Sequence, residues 1–584
     1  MENSPWPLKP ILVLATLFAL TACGGANPTE KGGTTDTDGD GYTDDVDLYI
    51  TDGSRWTDED SDSDGYTDDI DANPTDATVG LAIQDLLIYV NDSNQAELNW
   101  TDTDWEVTYE VQYRVSEDED WLTLEAIAAD TNTNIIDLNL RILLQSSFRV
   151  TSCTGSGDCY GSNIVTGSSL DSSELITYIK ASNTNSDDFF GDQVSLSADG
   201  STLAIAGLYE DSCSTGVDGD ETSDSCEDSG AVYLFENSDN GWHQTAYLKA
   251  SNTSSSDFFG ASIFLSADGS TLAVGTGYED SCSTGINGDE TSDACSASGA
   301  VYLFENGDSG WSQTAYVKAF NTDSEDLFGQ SVSLSADGAT LAVGAFGEDS
   351  CDTGVNGDET FDLCGNSGAV YLFEQGDSGW SQTAYVKASN TENDNFFGWS
   401  VFLSANGSTL AVSALYEDSC STGINADETS NSCVGSGAAY LFEQGDSGWG
   451  QTAYVKASNT GYLNFFGDSV ALSANGSILA VGAYLEGSCS KGVNADEAPD
   501  SCPGSGAASG AVYLFEQGDS GWSQTAYVKA SNTGDGDYFG QSVSLSADGS
   551  TLAVGADGED SCSTGVDGIG WSNSCSNSGA TYIY

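Results

Sequence analysis

FFGASIFLSADGSTLAVGT, residues 258–276, is written six times with small changes in this chain of 584 residues. The Phe-Gly pairs of the copies are Phe190-Gly191, Phe259-Gly260, Phe328-Gly329, Phe397-Gly398, Phe466-Gly467 and Phe539-Gly540, at intervals of 69, 69, 69, 69 and 73 residues. Each copy continues through an acidic loop bounded by two cysteines, then SGAVYLFE or a close variant, and the first five go on to GWSQTAYVKAS or a close variant. A period this long, made of short apolar runs and turns, specifies stacked or radial β units rather than one irregular domain. In the second copy, residues 262–268, 271–276, 299–305 and 312–319 each read as a strand. Asp268-Gly269 and the stretch from Gly307 to Gly310 read as hairpin turns. Runs rich in Val, Tyr, Phe and Leu suit sheets buried on both faces. Four antiparallel strands per unit is a propeller blade, so the fold class is all-β.

The Phe-Gly and AVGA pairings resemble the FG-GAP repeats of integrin α-chain propellers and their bacterial relatives, over residues 175–584. The resemblance implies a β-propeller. Counting copies gives six blades; the integrin relatives have seven. Residues 175–182 align with the fourth strand of a blade and residues 579–584 with the third. The last blade therefore lacks the strand that residues 175–182 hold spare. Pairing of 176–181 with 581–584 would close the ring and remove exposed sheet edges.

Thirteen Lys+Arg face 92 Asp+Glu, a net charge of −79. Such a field repels nucleic acid and anionic lipid and attracts cations. It also keeps a protein soluble in a salty habitat. Near the N-terminus, Lys9 precedes an apolar run, residues 11–20, too short to span a bilayer and of the length of a signal peptide's apolar region. The run ends in Leu20-Thr21-Ala22-Cys23, which resembles the lipobox of bacterial lipoproteins. The resemblance implies a signal peptide at 1–22, a lipid on Cys23 and, with Gly24 following, the outer membrane.

Export agrees with the cysteines. Cys153 and Cys159 flank one short loop. Twelve others form six pairs 13 apart: Cys213/Cys226, Cys282/Cys295, Cys351/Cys364, Cys420/Cys433, Cys489/Cys502 and Cys562/Cys575. One pair per copy, at one repeat position, reads as one local disulfide per copy. Zinc is the competing reading, and a single histidine with no CxxC argues against it.

Residues 23–35 read as a flexible tether. Residues 36–78 are Asp-dense with two matching segments, DTDGDGYTDDVD (36–47) and DSDSDGYTDDID (60–71). In the first, carboxylates at Asp36, Asp38, Asp40, Asp44 and Asp47, with the Tyr42 carbonyl and Gly41 at the turn, have the spacing of an EF-hand-type Ca2+ loop. Asp60, Asp62, Asp64, Tyr66, Asp68 and Asp71 repeat it around Gly65. No helical pattern flanks either segment, and the pair resembles thrombospondin type 3 repeats, which fold around calcium. Residues 79–168 read as a small β-sandwich. Trp100, residues 109–114 and residues 148–150 resemble a fibronectin type III domain, with Ser146 where that family has a corner tyrosine.

Catalytic chemistry is sparse in the repeats. His243, the one histidine, falls where other copies have Ser or Gly. Residues 175–584 hold no arginine, and Lys180, Lys249, Lys318, Lys387, Lys456 and Lys529 share one repeat position, Lys491 standing apart. A lysine repeated in this way is structural before it is catalytic. Trp242, Trp311, Trp380, Trp449 and Trp522 recur at the start of the fourth strand and read as packing. The cysteine loops, with Glu279, Asp280, Asn287, Asp289 and Glu290 in the second copy, leave calcium binding open. These features point to a non-enzymatic calcium-binding surface lipoprotein that takes a protein or glycan ligand on the propeller's loop face. A polysaccharide-acting propeller enzyme and an envelope scaffold for a protein complex are the alternatives.

Overall fold

The structure is a computed structural model. It describes residues 83–91, 95–103, 106–116, 120–136, 138, 140–155, 157–170, 178–238, 241–495, 508–562 and 574–584. The expected signal peptide, Cys23, the tether and all twelve expected calcium ligands lie outside the described residues. The chain divides into two compact units, Met1–Leu175 and Ile176–Tyr584.

In the first unit, Leu87–Val90, Ala96–Asn99 and Thr133–Ile135 form one antiparallel sheet. Leu122–Ala128, Thr108–Arg114, Ser147–Cys153 and Cys159–Gly161 form a second, with Val165–Thr166 added to Ser147–Cys153. Alternation with period two turns Ala96, Leu98 and Trp100 of one sheet and Tyr109, Val111, Phe148 and Val150 of the other into one buried core. Trp100 meets Tyr109 edge to face at 5.5 Å, and the Tyr109 hydroxyl donates to Asp102 Oδ1 at 2.7 Å. Ser146, where a corner tyrosine would stand, is buried and its hydroxyl donates to the Ile142 carbonyl at 2.6 Å. A six-residue helix, Leu140–Gln145, precedes it.

The second unit is a series of antiparallel sheets in chain order, six among the described residues. In the second copy the strands are Ser262–Leu265, Thr271–Thr276, Ala300–Gly307 and Gly310–Val317, called here inner, second, third and outer. The inner strand is three residues shorter than its sequence predicts, because Ser266, Ala267 and Asp268 belong to the turn. The fourth and fifth sheets gain a two-residue strand, Gly423–Ile424 and Gly492–Val493, where the cysteine loop pairs with the outer strand. Second strands are buried along all or nearly all of their length in the middle copies, as the continuous apolar runs require.

The repeated sequence is explained by what joins one sheet to the next. Phe259 is fully buried, its ring edge-on to Tyr302 at 5.3 Å, while its N–H donates to the Ser229 carbonyl of the preceding copy at 2.9 Å. Gly275 faces the following copy so closely that a Cβ would run into the Gly329 carbonyl oxygen. At the opposite end of the inner strands, Ala198, Ala267, Ala336, Ala405 and Ala474 each donate an N–H to the equivalent alanine carbonyl one copy on, at 2.8–3.0 Å.

The closing strand expected from residues 176–181 is not formed among the described residues. The last sheet has three strands, Ser542–Leu545, Leu552–Ala556 and Ala580–Ile583. Residues 178–180 are in no strand, and Tyr178 is 84% exposed where its repeat-mate Tyr316 is buried. Ala181 and Ile179 instead pack on the first sheet, against Tyr233 and Phe235. They keep the local contact that Ala250 makes in the second copy and forgo the distant one, which demands closure of a very long loop. The first inner strand, Phe190–Leu196, is left uncovered: Val194 and Leu196 are 64% and 54% exposed, against 5% and 2% for Val332 and Leu334. No helix among the described residues is long and apolar enough to cross a membrane.

Candidate functional site: the loop face of the repeats

Each inner strand begins, and each second strand ends, at the face where the cysteine loops emerge. Six expected disulfides are joined: Cys153–Cys159, Cys213–Cys226, Cys282–Cys295, Cys351–Cys364, Cys420–Cys433 and Cys562–Cys575. Cys502, the expected partner of Cys489, lies outside the described residues.

Beneath five of the six cysteine loops the recurrent lysine finds its partner, while Lys180 is exposed. Lys249 pairs with Glu210 at 2.9 Å, Lys318 with Glu279 at 2.9 Å, Lys387 with Glu348 at 2.7 Å, Lys456 with Glu417 at 2.7 Å and Lys529 with Glu486 at 2.8 Å. Both members are buried. Lys318 Nζ also donates to Ser298 Oγ at 2.7 Å; Asn252 Nδ2 and the Tyr316 hydroxyl donate to Glu279 Oε1 at 2.8 and 2.9 Å. The Tyr302 hydroxyl fixes Asn252 in turn. Burial pulls the Lys318 pKa down, and the Glu279 charge opposes that pull. One ion pair thus ties together the incoming loop and the second, third and outer strands, and the lysine is removed from surface chemistry.

The acidic cysteine loop of the second copy is hydrogen-bonded within the protein. In the second copy, Asp280 Oδ1 accepts from Ala297 N at 2.8 Å, Asn287 Oδ1 from Tyr316 N at 2.9 Å and Asp289 Oδ1 from Thr291 N at 3.0 Å, while Glu290 accepts from Ser251. Among the described residues, the one trio of metal-ligating atoms that converges is Glu110 with Cys153 and Cys159, and those two sulfurs are joined in a disulfide. Asp257, in the turn before the second inner strand, is buried and accepts from Ser254 N at 2.9 Å. Burial, reinforced by Glu279, Asp280 and Asp293, pushes its pKa up to about 8, and Asp326 is pushed up to about 8 in the same setting.

His243 is an exposed residue opposite Glu236 in a hairpin. Trp311, Trp380 and Trp522 are buried between neighbouring sheets, where Ile424, for one, packs against the cluster of Trp522. Packing therefore accounts for these tryptophans.

The loop face also holds residues that reading the sequence for catalytic types passes over. Aromatic rings follow one another along the inner-strand side: Phe346–Phe396 at 5.6 Å, Phe396–Tyr416 at 5.1 Å, Tyr416–Phe465 at 4.8 Å, Phe465–Tyr484 at 5.7 Å and Tyr484–Tyr538 at 5.9 Å. Trp399 joins this run through Phe346 at 4.9 Å. The residue after each Phe-Gly varies between copies: Asp192, Ala261, Gln330, Trp399, Asp468 and Gln541. So does the residue after each second strand: Leu208, Gly277, Phe346, Leu415, Tyr484 and Asp557. The signal that finds them is variation at one repeat position inside an otherwise uniform array.

Comparison with known proteins finds the FG-GAP repeat family at residues 242–304, 311–373 and 522–584. Each matched stretch runs from the tryptophan of an outer strand to a point in the third strand of the next sheet, so the family's unit straddles the junction between sheets. A crystal structure of pectate lyase PelI from Erwinia chrysanthemi in complex with tetragalacturonic acid is 22% identical over 14% of this chain and 27% of that one, with a TM-score of 0.12. The crystal structure of the RRP9 WD40 repeats is 10% identical over 62% of this chain and 86% of that one, with a TM-score of 0.30. No curated protein matches. The chain is an all-β protein that contains FG-GAP repeats, folded as successive antiparallel sheets in the manner of propeller blades.

Proposed function

We propose that this protein is a non-enzymatic, calcium-binding lipoprotein of the bacterial outer membrane that holds a protein or glycan ligand on the loop face of its repeats. One observation carries the proposal. The lysine and glutamate shared by five copies are locked into buried ion pairs and the second copy's loop carboxylates into hydrogen bonds, while half-buried aromatic groups and carboxylates that vary between copies gather on that one face. Loops on a rigid scaffold are where binding residues concentrate. The FG-GAP matches agree with a ligand-binding or adhesive role. Lipidation at Cys23 supplies the anchor, and the Asp-rich residues 36–71 form a calcium-ordered spacer.

The test is capture by the full-length chain on glycan and protein arrays, in calcium and in chelator. Binding of a defined ligand is expected, with calcium uptake by residues 36–71 seen calorimetrically. Capture of nothing under either condition would reject the ligand-binding function, and absence of calcium heat would reject the spacer.

A further inference from the structure

One set of contacts joins successive sheets, and the first and last sheets each carry an unused half of it. Gly275, Gly344 and Gly482 stand in second strands, and at each a Cβ would run into a carbonyl of the next copy's Phe-Gly corner, at Gly329, Gly398 and Gly540. Ala206 and Ser413, which hold this position in two other copies, are small as well. Gly555 keeps the glycine although its φ is not left-handed, and the atoms nearest to a Cβ there belong to Ser542 of its own sheet. A glycine inside a strand marks the close approach of another backbone. Its counterpart is the first corner, Phe190-Gly191. Nothing lies within 4 Å of a Gly191 Cβ, whereas a Cβ at Gly329 would run into the Ala300 carbonyl. Hydrogen bonds follow the same order. Ser262, Ser331, Ser400 and Ser469 Oγ accept the N–H of Val332, Val401, Val470 and Val543 one copy on, at 3.0–3.2 Å. Ser542 is the next acceptor in that series and is exposed, and Val194 holds the matching donor position in the first sheet. Apolar side chains agree. Ile583 of the last sheet is 54% exposed where its repeat-mate Leu303 is fully buried, and Val194 and Leu196 are the uncovered apolar groups of the first.

We propose that the free face of the last sheet binds the free face of the first sheet on a second copy of this chain, head to tail, through the contacts that join successive sheets within one copy. The two faces of a single copy do not meet, since Val194, Leu196 and Ile583 are all exposed. The complement of each is therefore the opposite face of another copy. The contact is independent of the ligand proposed above.

The experiment measures the mass of the full-length protein by sedimentation over a range of concentrations, at low and at high salt. Mass is expected to rise with concentration, and more steeply in high salt, because screening relieves the repulsion between two chains of net charge −79. A head-to-tail contact leaves one face free at each end, so growth is expected to pass beyond two copies or to stop at a closed ring. Leu196→Asp spoils the first face and Ile583→Asp the last. Both side chains are exposed in a single copy, so each variant is expected to keep the parent's melting temperature. Each alone is expected to associate about a hundredfold more weakly, because the contact would bury an unpaired carboxylate. Mixed, the two are expected to form a pair and stop there, since each keeps the face that the other needs. Gly555→Val blocks the approach of the corner without adding charge and is expected to behave as Ile583→Asp does. A parent of single-copy mass under every condition would overturn the proposal. So would variants that associate as the parent does, or a mixture that forms no pair.

Discussion

Lys318 shows why a lysine recurs in a chain that otherwise avoids positive charge. Its partner Glu279 lies 39 residues earlier, and the two meet only after the second, third and outer strands have paired into one sheet. Repetition alone marks the lysine as structural; its partner is visible only in three dimensions, because the Glu stands among many acidic neighbours in the loop. Removing one member of a buried pair leaves the other charge unpaired and costs about 3–5 kcal/mol. Lys318→Met is therefore expected to lower protection from hydrogen exchange in Ala300–Gly307 by that amount, and Lys318→Met/Glu279→Gln by less. Equal losses in the single and double variants would contradict the pairing. Asp257 gives a second residue-scale expectation. Its carboxyl titrates at 3.8 in the unfolded chain and about 8 in the fold. Between those values the folded state holds a proton that the unfolded state lacks. This contribution to stability is thus full below about pH 4 and lost as pH rises through about 8. Asp257→Asn/Asp326→Asn should flatten the dependence of melting temperature on pH between pH 5 and 8.5, raising stability at the alkaline end. Asn395 and Asn464, buried at the same repeat position, show that the fold accepts the amide. A pH profile identical to the parent's would refute the assignment.

At the scale of elements, the blade strands were legible because their apolar runs are bounded by Asp-Gly or Asn-Gly turns in all six copies and by Gly-Asp-Ser-Gly turns in four. The second strand, Thr271–Thr276, matches its expected bounds residue for residue. The inner strand came out shorter because Ser266 and Asp268 are used in the turn, with Ser266 Oγ donating to Asp268 Oδ1 at 2.7 Å. The small helix Leu140–Gln145 was not legible: six residues carry too little periodicity to announce one. The disulfide pairs were legible from their constant spacing, and each closes a loop on one sheet. Cys282→Ser/Cys295→Ser should cost about 2–5 kcal/mol, confined to the second sheet, since in a repeat array stability is a sum of local and nearest-neighbour contributions. Hydrogen exchange should show the loss in Thr271–Thr276 and Ala300–Gly307 and leave Thr340–Ala345 as it was. A collapse of protection along the whole array would show that the disulfides act globally.

Across the whole molecule, the sequence led to the all-β class and the succession of sheets, because both follow from the repeat. It led less well to the ends, since no local pattern states whether residues 176–181 bind the first sheet or the last. What unites these features is a scaffold whose shared lysine–glutamate pairs are sequestered and whose variable residues lie on the loop face, and the function proposed above expects such a scaffold to bind without converting. The most direct measurement recovers the array-captured ligand after prolonged incubation with the full-length protein in calcium and compares its mass with that of the untreated ligand. The account predicts a stoichiometric complex and a ligand of unchanged mass; a ligand cleaved or otherwise altered at a rate set by the amount of protein would contradict it.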